Sequence, residues 1–381
     1  MIKQSDRLNS VEEYYFSKKL REVSNMIQSG ESVINMAIGS PDLFPSIRVI
    51  DEIKNSLSDS FAHKYQSYQG LPELRDAIAK FYNKFFGVEL NPLNEVLPLM
   101  GSKEGIMHIS LAFLNPGDEV LIPNPGYPTY NAVTQLLQAK SVFYDLDETS
   151  NWLPDLDLIE KKDLTRVKLM WINYPNMPTG VKASHAFFNK LVTFGKRHNI
   201  LIINDNPYSF ILNDTPRSIL SVNGAKDICL ELNSLSKTFN MAGWRVGMVM
   251  GNNTHINAIL KVKSNMDSGM FYGIQKGAIE AMKCSRLWYL SLNNVYEQRR
   301  ELVWKLADAL NCTYDKSASG LFVWAKIPPF FKSEEFVDAI LKNNHIFIAP
   351  GTVFGSKGEG YIRFSLCAST EELEESIARV L

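Results

Sequence analysis

The chain has 381 residues, 45% of them hydrophobic and 21% charged, and its 40 basic and 41 acidic side chains leave a net charge of −1. This is the composition of an ordinary globular protein large enough for two domains. It carries no basic excess of the kind that binds nucleic acid or an anionic membrane surface. The cysteines, Cys229, Cys284, Cys312 and Cys367, lie far apart and form no CxxC pair. No metal centre or disulfide framework is expected from them, and reduced thiols in a cytoplasmic protein are. The N-terminal stretch "MIKQSDRLNSVEEYYFSKKL" lacks the apolar core of a signal peptide. No run of about 18 apolar residues forms a transmembrane helix, so a cytoplasmic location is the default expectation.

In chain order, the first 45 residues have no sheet partner of their own. They are expected to pack with the C-terminal part or to reach another subunit. From about residue 95 to 251, short apolar runs alternate with helical patterns: "EVLPLM", "DEVLIP", "SVFYDL", "VKLMWIN", "ILIIND", "ICLELNS" and "RVGMVMG". Such aliphatic, β-branched runs suit strands buried on both faces. Helices are expected between several of them, including 102–113 and 184–198, the second with Ser184 as a good N-cap. Strands alternating with helices predict an α/β fold, a mostly parallel sheet covered on both sides. The C-terminal part reads as a smaller α+β domain. It has a helix over 286–310, "GLFVWAKI", a helix over about 333–343, then "IFIAP" and "YIRFSL". The expected division is 45–285 for the large domain, and 1–44 with 286–381 for the small domain and its N-terminal arm.

Ligands of open α/β sheets bind at the carboxyl ends of the strands, which directs attention to the residue after each run. "EVLPLM" is followed by "GSKEGI". There the free N–H groups of a helix start and the Ser102 hydroxyl make an anion site, or only a cap. "DEVLIP" is followed by "NPGYPTY", where Tyr127 either faces a planar ligand or packs into the core. "ILIIND" ends in Asp205, which needs a cationic or hydrogen-bonding partner if buried, and helix capping is its other role. "ICLELNS" leads into "SLSKTFNMAGWRVG", with Ser234, Ser236, Lys237 and Arg245. One rim thus collects a helix start, hydroxyls, an arginine, an aspartate, tyrosines and a lysine. The set suits pyridoxal 5′-phosphate. Its aldehyde takes a lysine, its pyridine nitrogen a carboxylate, and its phosphate an arginine with backbone donors.

These residues resemble the class I aminotransferases of fold type I. "HKYQSYQGLPELRDAIAKFY", "GSKEGI", "NPGDEVLIPNPGYPTY", "NDNPY", "SLSKTFNMAGWRVG" and "YIRFSL" stand in that family's order and at its approximate spacing. The resemblance implies a large domain with a mostly parallel seven-stranded sheet and a smaller α+β domain. It also implies pyridoxal phosphate as cofactor, and a ping-pong transfer of an amino group between an L-amino acid and a 2-oxo acid. Lys237 is then the Schiff-base lysine that also moves protons. Asp205 pairs with the pyridine nitrogen, Tyr208 donates to the ring's phenolic oxygen, and Tyr127 stacks on the ring. Ser102, the Lys103 backbone, Ser234 and Arg245 hold the phosphate. Tyr65 reaches the phosphate of the neighbouring subunit in a homodimer with shared sites. Arg363 clamps the substrate carboxylate, and the Gly39 backbone lines that pocket.

One position departs from the pattern. Before Pro-Thr-Gly the family usually has an asparagine that donates to the phenolic oxygen. Here Met177 stands there and Asn176 lies one residue early, so Asn176 is the candidate for that contact if the turn shifts. The cofactor motifs do not separate an aminotransferase from a C–S β-lyase on the same fold. A ligand-sensing regulator of this fold would carry a DNA-binding extension, for which the segment before the first motif has no room. The stretch 265–275, "NMDSGMFYGIQ", contains no arginine, which disfavours an aspartate-type second carboxylate clamp.

Overall fold

The computed structural model describes residues 2–11, 13 and 15–381. Its centre is a seven-stranded sheet whose strands fall on the seven apolar runs. They are β1 (Val96–Leu99), β2 (Glu119–Asn124), β3 (Lys140–Asp145), β4 (Val167–Ile172), β5 (Leu201–Asp205), β6 (Cys229–Ser234) and β7 (Gly247–Met250). The spatial order is β1-β7-β6-β5-β4-β2-β3. All neighbours run parallel except β7, which is antiparallel to both β1 and β6.

Alternate residues of these strands feed two separate cores. Leu97, Val120, Leu169, Trp171, Leu201, Ile203, Leu230 and Leu232 pack on one side with Ile106 and Ile109 of the helix Ser102–Phe113. Val96, Leu121, Met170, Ile172 and Ile202 face the other and larger core. Helices cover both faces, which is why the runs read as continuously apolar. The expected 184–198 helix is His185–His198, and the Ser184 side chain accepts from the Phe187 N–H.

The C-terminal part forms a four-stranded antiparallel sheet, in the order Ala349–Pro350, Tyr361–Ser365, Phe322–Lys326, Thr313–Tyr314. Helix Arg286–Ala309 leads into it and Ser333–Asn344 packs beside it. The single run "IFIAP" splits. Ala349–Pro350 joins this sheet, whereas Ile346–Phe347 pairs in parallel with Ile34–Asn35. The N-terminal segment therefore does have a strand partner, in the C-terminal part. Helix Tyr15–Gln28 precedes that pairing. The cysteines are free thiols. No helix among the described residues is long and apolar enough to cross a membrane.

Candidate active site

The carboxyl ends of the parallel strands open on one cavity of about 440 Å³. Its end beside Arg245 is built by the turn from β1 into the helix Ser102–Phe113. Gly101 makes that turn with φ +91°, and a Cβ there would overlap the Arg245 guanidinium. Glycine alone lets the helix start, with its unsatisfied N–H groups, lie against that arginine. Arg245 itself has a left-handed backbone, φ +57°, and donates to the Ala242 carbonyl at 2.9 Å. Ser234, buried at the end of β6, and Lys103 line the same end. Desolvation and the nearby Arg245 lower the Lys103 pKa.

Asp205 ends β5 and is only 6% exposed. Its Oδ2 accepts from the Tyr130 hydroxyl at 2.9 Å, and Tyr130 is stacked on Trp171 with centroids 4.9 Å apart. Its backbone carbonyl accepts from Asn173 Nδ2. Among the described residues, Oδ1 has no hydrogen-bond partner. Burial raises the carboxyl pKa to about 7, against the lowering effects of the Tyr130 hydrogen bond and of Lys237.

Lys237 follows β6, and its Nζ donates to the carbonyl of Gly39. Burial lowers its pKa. Arg363 and Arg245 act in the same direction, Cys367 and Asp205 against it. A desolvated amine among cations favours the neutral, nucleophilic form. At Gly39 any Cβ would overlap the Phe322 ring, so glycine lets that backbone lie on the aromatic wall. Tyr208 is buried edge-on against Phe322, with centroids 5.8 Å apart, and Tyr127 meets Tyr130 at 5.6 Å. Burial raises both phenol pKa values.

Arg363 stands on the strand Tyr361–Ser365, buried to 5% exposure. Its guanidinium carbon lies 3.9 Å from the Phe322 ring centre and 4.5 Å from that of Phe354. Nη2 donates to the Ala37 carbonyl at 2.6 Å, and Nη1 to the Met177 sulfur at 3.2 Å.

Of the expected site residues, Gly39, Ser102, Lys103, Tyr127, Asp205, Tyr208, Ser234, Lys237, Arg245 and Arg363 all line this cavity. Asn176 and Tyr65 do not. The Asn176 amide is spent on its own turn. Its Oδ1 accepts from the Thr179 N–H at 3.2 Å and hydroxyl at 2.8 Å, and its Nδ2 donates to the Asn173 carbonyl. The turn has not shifted to aim it at the cavity; Met177 and Asn173 line the cavity instead. Tyr65 is 91% exposed and lies outside it. Sequence reasoning missed Asn173, although it stands directly after β4 at the rim. It also missed Tyr130, Phe16, Phe322 and Phe354, which no local pattern distinguishes from core aromatics.

Outside the cavity, Glu104, His108 and Asp267 bring donor atoms within 4.8 Å of one another. The fully buried ammonium of Lys263, 2.8 Å from Asp267 Oδ1, already supplies positive charge there.

The family model of aminotransferases of class I and II matches residues 31–380. Similar curated proteins include the LL-diaminopimelate aminotransferase of Dehalococcoides mccartyi, 40% identical over 381 residues, covering all of this chain and 98% of that protein. The enzyme of the same name from Aquifex aeolicus is 39% identical over 382 residues, covering all of this chain and 99% of that protein. Among solved structures, apo-BacF from Bacillus subtilis superposes with a TM-score of 0.95 at 36% identity, covering all of this chain and 98% of that one. With this match along nearly its whole length, on a mostly parallel seven-stranded fold, the chain belongs to the class I and II aminotransferase family and is a transaminase.

Proposed function

We propose that this cavity binds pyridoxal 5′-phosphate, and that the enzyme uses it to move an amino group between an L-amino acid and a 2-oxo acid in two half-reactions. The observation that carries the reading is Asp205 Oδ1, a buried carboxylate oxygen with no hydrogen-bond partner among the described residues, in the cavity that holds Lys237. Such an oxygen calls for a cationic N–H, which a protonated pyridine ring carries. When bound, the cofactor withdraws electrons from the substrate's Cα. The rest belongs to the chain. Asp205 holds the proton on the ring nitrogen. The helix start at Ser102, the Lys103 backbone, Ser234 and Arg245 hold the phosphate. Tyr127 covers the ring, and Tyr208 donates to its phenolic oxygen without help from Met177. Lys237 takes the Cα proton and would return it to the cofactor's C4′. Arg363 grips the substrate carboxylate with its planar fork, and the Gly39 backbone closes that pocket.

We also read residues 45–285 as the large domain, and 1–44 with 286–381 as the small one. The active unit is read as a homodimer in which Tyr65 reaches the partner's phosphate. Phe44, Ile47, Phe61, Tyr65, Met266 and Phe271 are large, apolar and exposed. The names of the curated relatives make LL-diaminopimelate one donor to assay. The test of the cofactor site is borohydride reduction followed by peptide mapping. The pyridoxyl group is expected on Lys237; a label on another lysine refutes the assignment.

A further inference from the structure

Resting on the reading of Asp205 as the partner of the cofactor's ring nitrogen, we infer that Glu231 is a positioning residue. From the opposite face of the sheet it holds Asn204 and Asn206, the two neighbours of Asp205, and so fixes where the Asp205 carboxylate stands.

Side chains alternate across a strand. On β5, Leu201 and Ile203 face the smaller core, which Tyr130 and Trp171 share, and Asp205 meets Tyr130 on that face. Ile202 faces the other core, and Asn204 follows it on that side. Asn206, one residue past β5, keeps the strand register, because its N–H donates to the Leu232 carbonyl at 2.8 Å. Glu231 stands opposite Asn204 in the parallel β5–β6 pair and is fully buried. Asn204 Nδ2 donates to its Oε2 at 3.3 Å, and Asn206 Nδ2 to its Oε1 at 3.2 Å. One carboxylate therefore spans both sides of Asp205.

The rest of each amide is engaged as well. Asn204 Oδ1 accepts from the Tyr174 N–H at 3.1 Å. Asn206 Oδ1 accepts from the Ser209 hydroxyl, and its Nδ2 also reaches the Arg217 carbonyl at 2.9 Å. Neither side chain can turn without breaking several contacts. The further contacts to Glu231 are donors too: the Ile219 N–H at 2.9 Å, and the hydroxyls of Ser218 and Tyr82. An acid proton would face N–H groups here, so the set suits the ionised form. Burial pushes the Glu231 pKa up, and the hydrogen bonds from Asn206, Ser218, Ile219 and Asn204 act against it. Asn204, Asn206, Glu231, Tyr82, Ser218 and Ile219 are 0–1% exposed, which places the whole device inside one protomer. On the Asp205 side, Asn173 Nδ2 holds the backbone carbonyl and Tyr130 the carboxylate. Held from both faces, Asp205 meets a ligand without rearranging.

The test is equilibrium dialysis of the apo protein against pyridoxal 5′-phosphate and against its deaza analogue, whose ring carries C–H where the nitrogen stands. Wild type should prefer the natural cofactor. Glu231→Gln turns an N–H toward other donors. It should weaken the natural cofactor about tenfold and the analogue less than about twofold, because only the former uses Asp205. Asn204→Ala and Asn206→Ala each cut one leg and leave the carboxylate its other donors. Both should reduce the same preference, and they decide the matter if circular dichroism shows that Glu231→Gln does not fold. Equal weakening of the two ligands would make Glu231 a purely structural residue. An unchanged preference in the folded variants would show that Asp205 keeps its place without it. Either result overturns the inference and leaves the cofactor reading standing. If wild type itself does not prefer the natural cofactor to the analogue, Asp205 does not serve the ring nitrogen, and that reading falls together with the inference.

Discussion

Asp205→Asn should change how the stability of the cofactor-free protein depends on pH. In the folded chain burial lifts this carboxyl from its ordinary 3.8 to about 7. A rise of roughly three units corresponds to about 4 kcal/mol at 1.36 kcal/mol per unit. The folded state holds the proton more tightly than the unfolded chain does. The contribution of Asp205 is therefore fully present below about pH 4 and is lost as the pH climbs through about 7. Asparagine still offers Tyr130 an acceptor, has no proton to lose, and pays any amide desolvation equally at every pH. Urea denaturation of both apo proteins at about pH 4 and about pH 8 is the assay. The stability of the variant relative to wild type should improve by about 4 kcal/mol between the two conditions. Adding pyridoxal phosphate at about pH 8 should then stabilise wild type more than the variant, because the ring N–H gives Oδ1 its partner. Parallel pH profiles for the two apo proteins would show that Asp205 is not buried as described.

Three further outcomes are expected. Arg363→Lys keeps the charge but loses the planar fork, so it should reduce kcat/KM for all amino donors alike by about 1.5–3 kcal/mol in transition-state binding; unchanged steady-state kinetics would assign the carboxylate to another residue. Gly101→Ala puts a Cβ into the Arg245 guanidinium at φ +91°, so the apo protein should lose roughly 1–3 kcal/mol of stability in urea denaturation from backbone strain, and cofactor affinity measured by equilibrium dialysis should fall as Arg245 is displaced. Mixing Tyr65→Phe with Lys237→Ala should restore activity that each variant lacks, through hybrid dimers; a fully active monomer in sedimentation would exclude shared sites.

The large sheet was legible because its strands are buried on both faces and read as uninterrupted apolar runs. Strand ends could then be read as a rim, which located Asp205, Ser234 and Lys237 without knowledge of any contact. The split of "IFIAP" was not legible, since a five-residue run does not say that its halves pair with different partners. Asn176 misled because the amide beside a Pro-Thr-Gly turn can face either the ligand or the turn. Thr179, which claims it, is an unremarkable neighbour in sequence. The aromatic wall was hidden for a different reason. Phe16, Phe322 and Phe354 come from distant segments and look like ordinary core residues until the chain folds.

The reversal of β7 has a consequence for how the gene can vary. A parallel β7 would begin at the far edge of the sheet, and Arg245 would be displaced by roughly four residues of strand, about 13 Å. Running antiparallel, β7 starts where β6 ends, so Lys237 and Arg245 share the one connection between these strands. The segment between Ser234 and Gly247 consequently acts as a ruler. Surface loops generally accept insertions and deletions, but a residue gained or lost here would change the spacing between Lys237 and Arg245. Length polymorphism should be absent from this connection even where its side chains are free to differ.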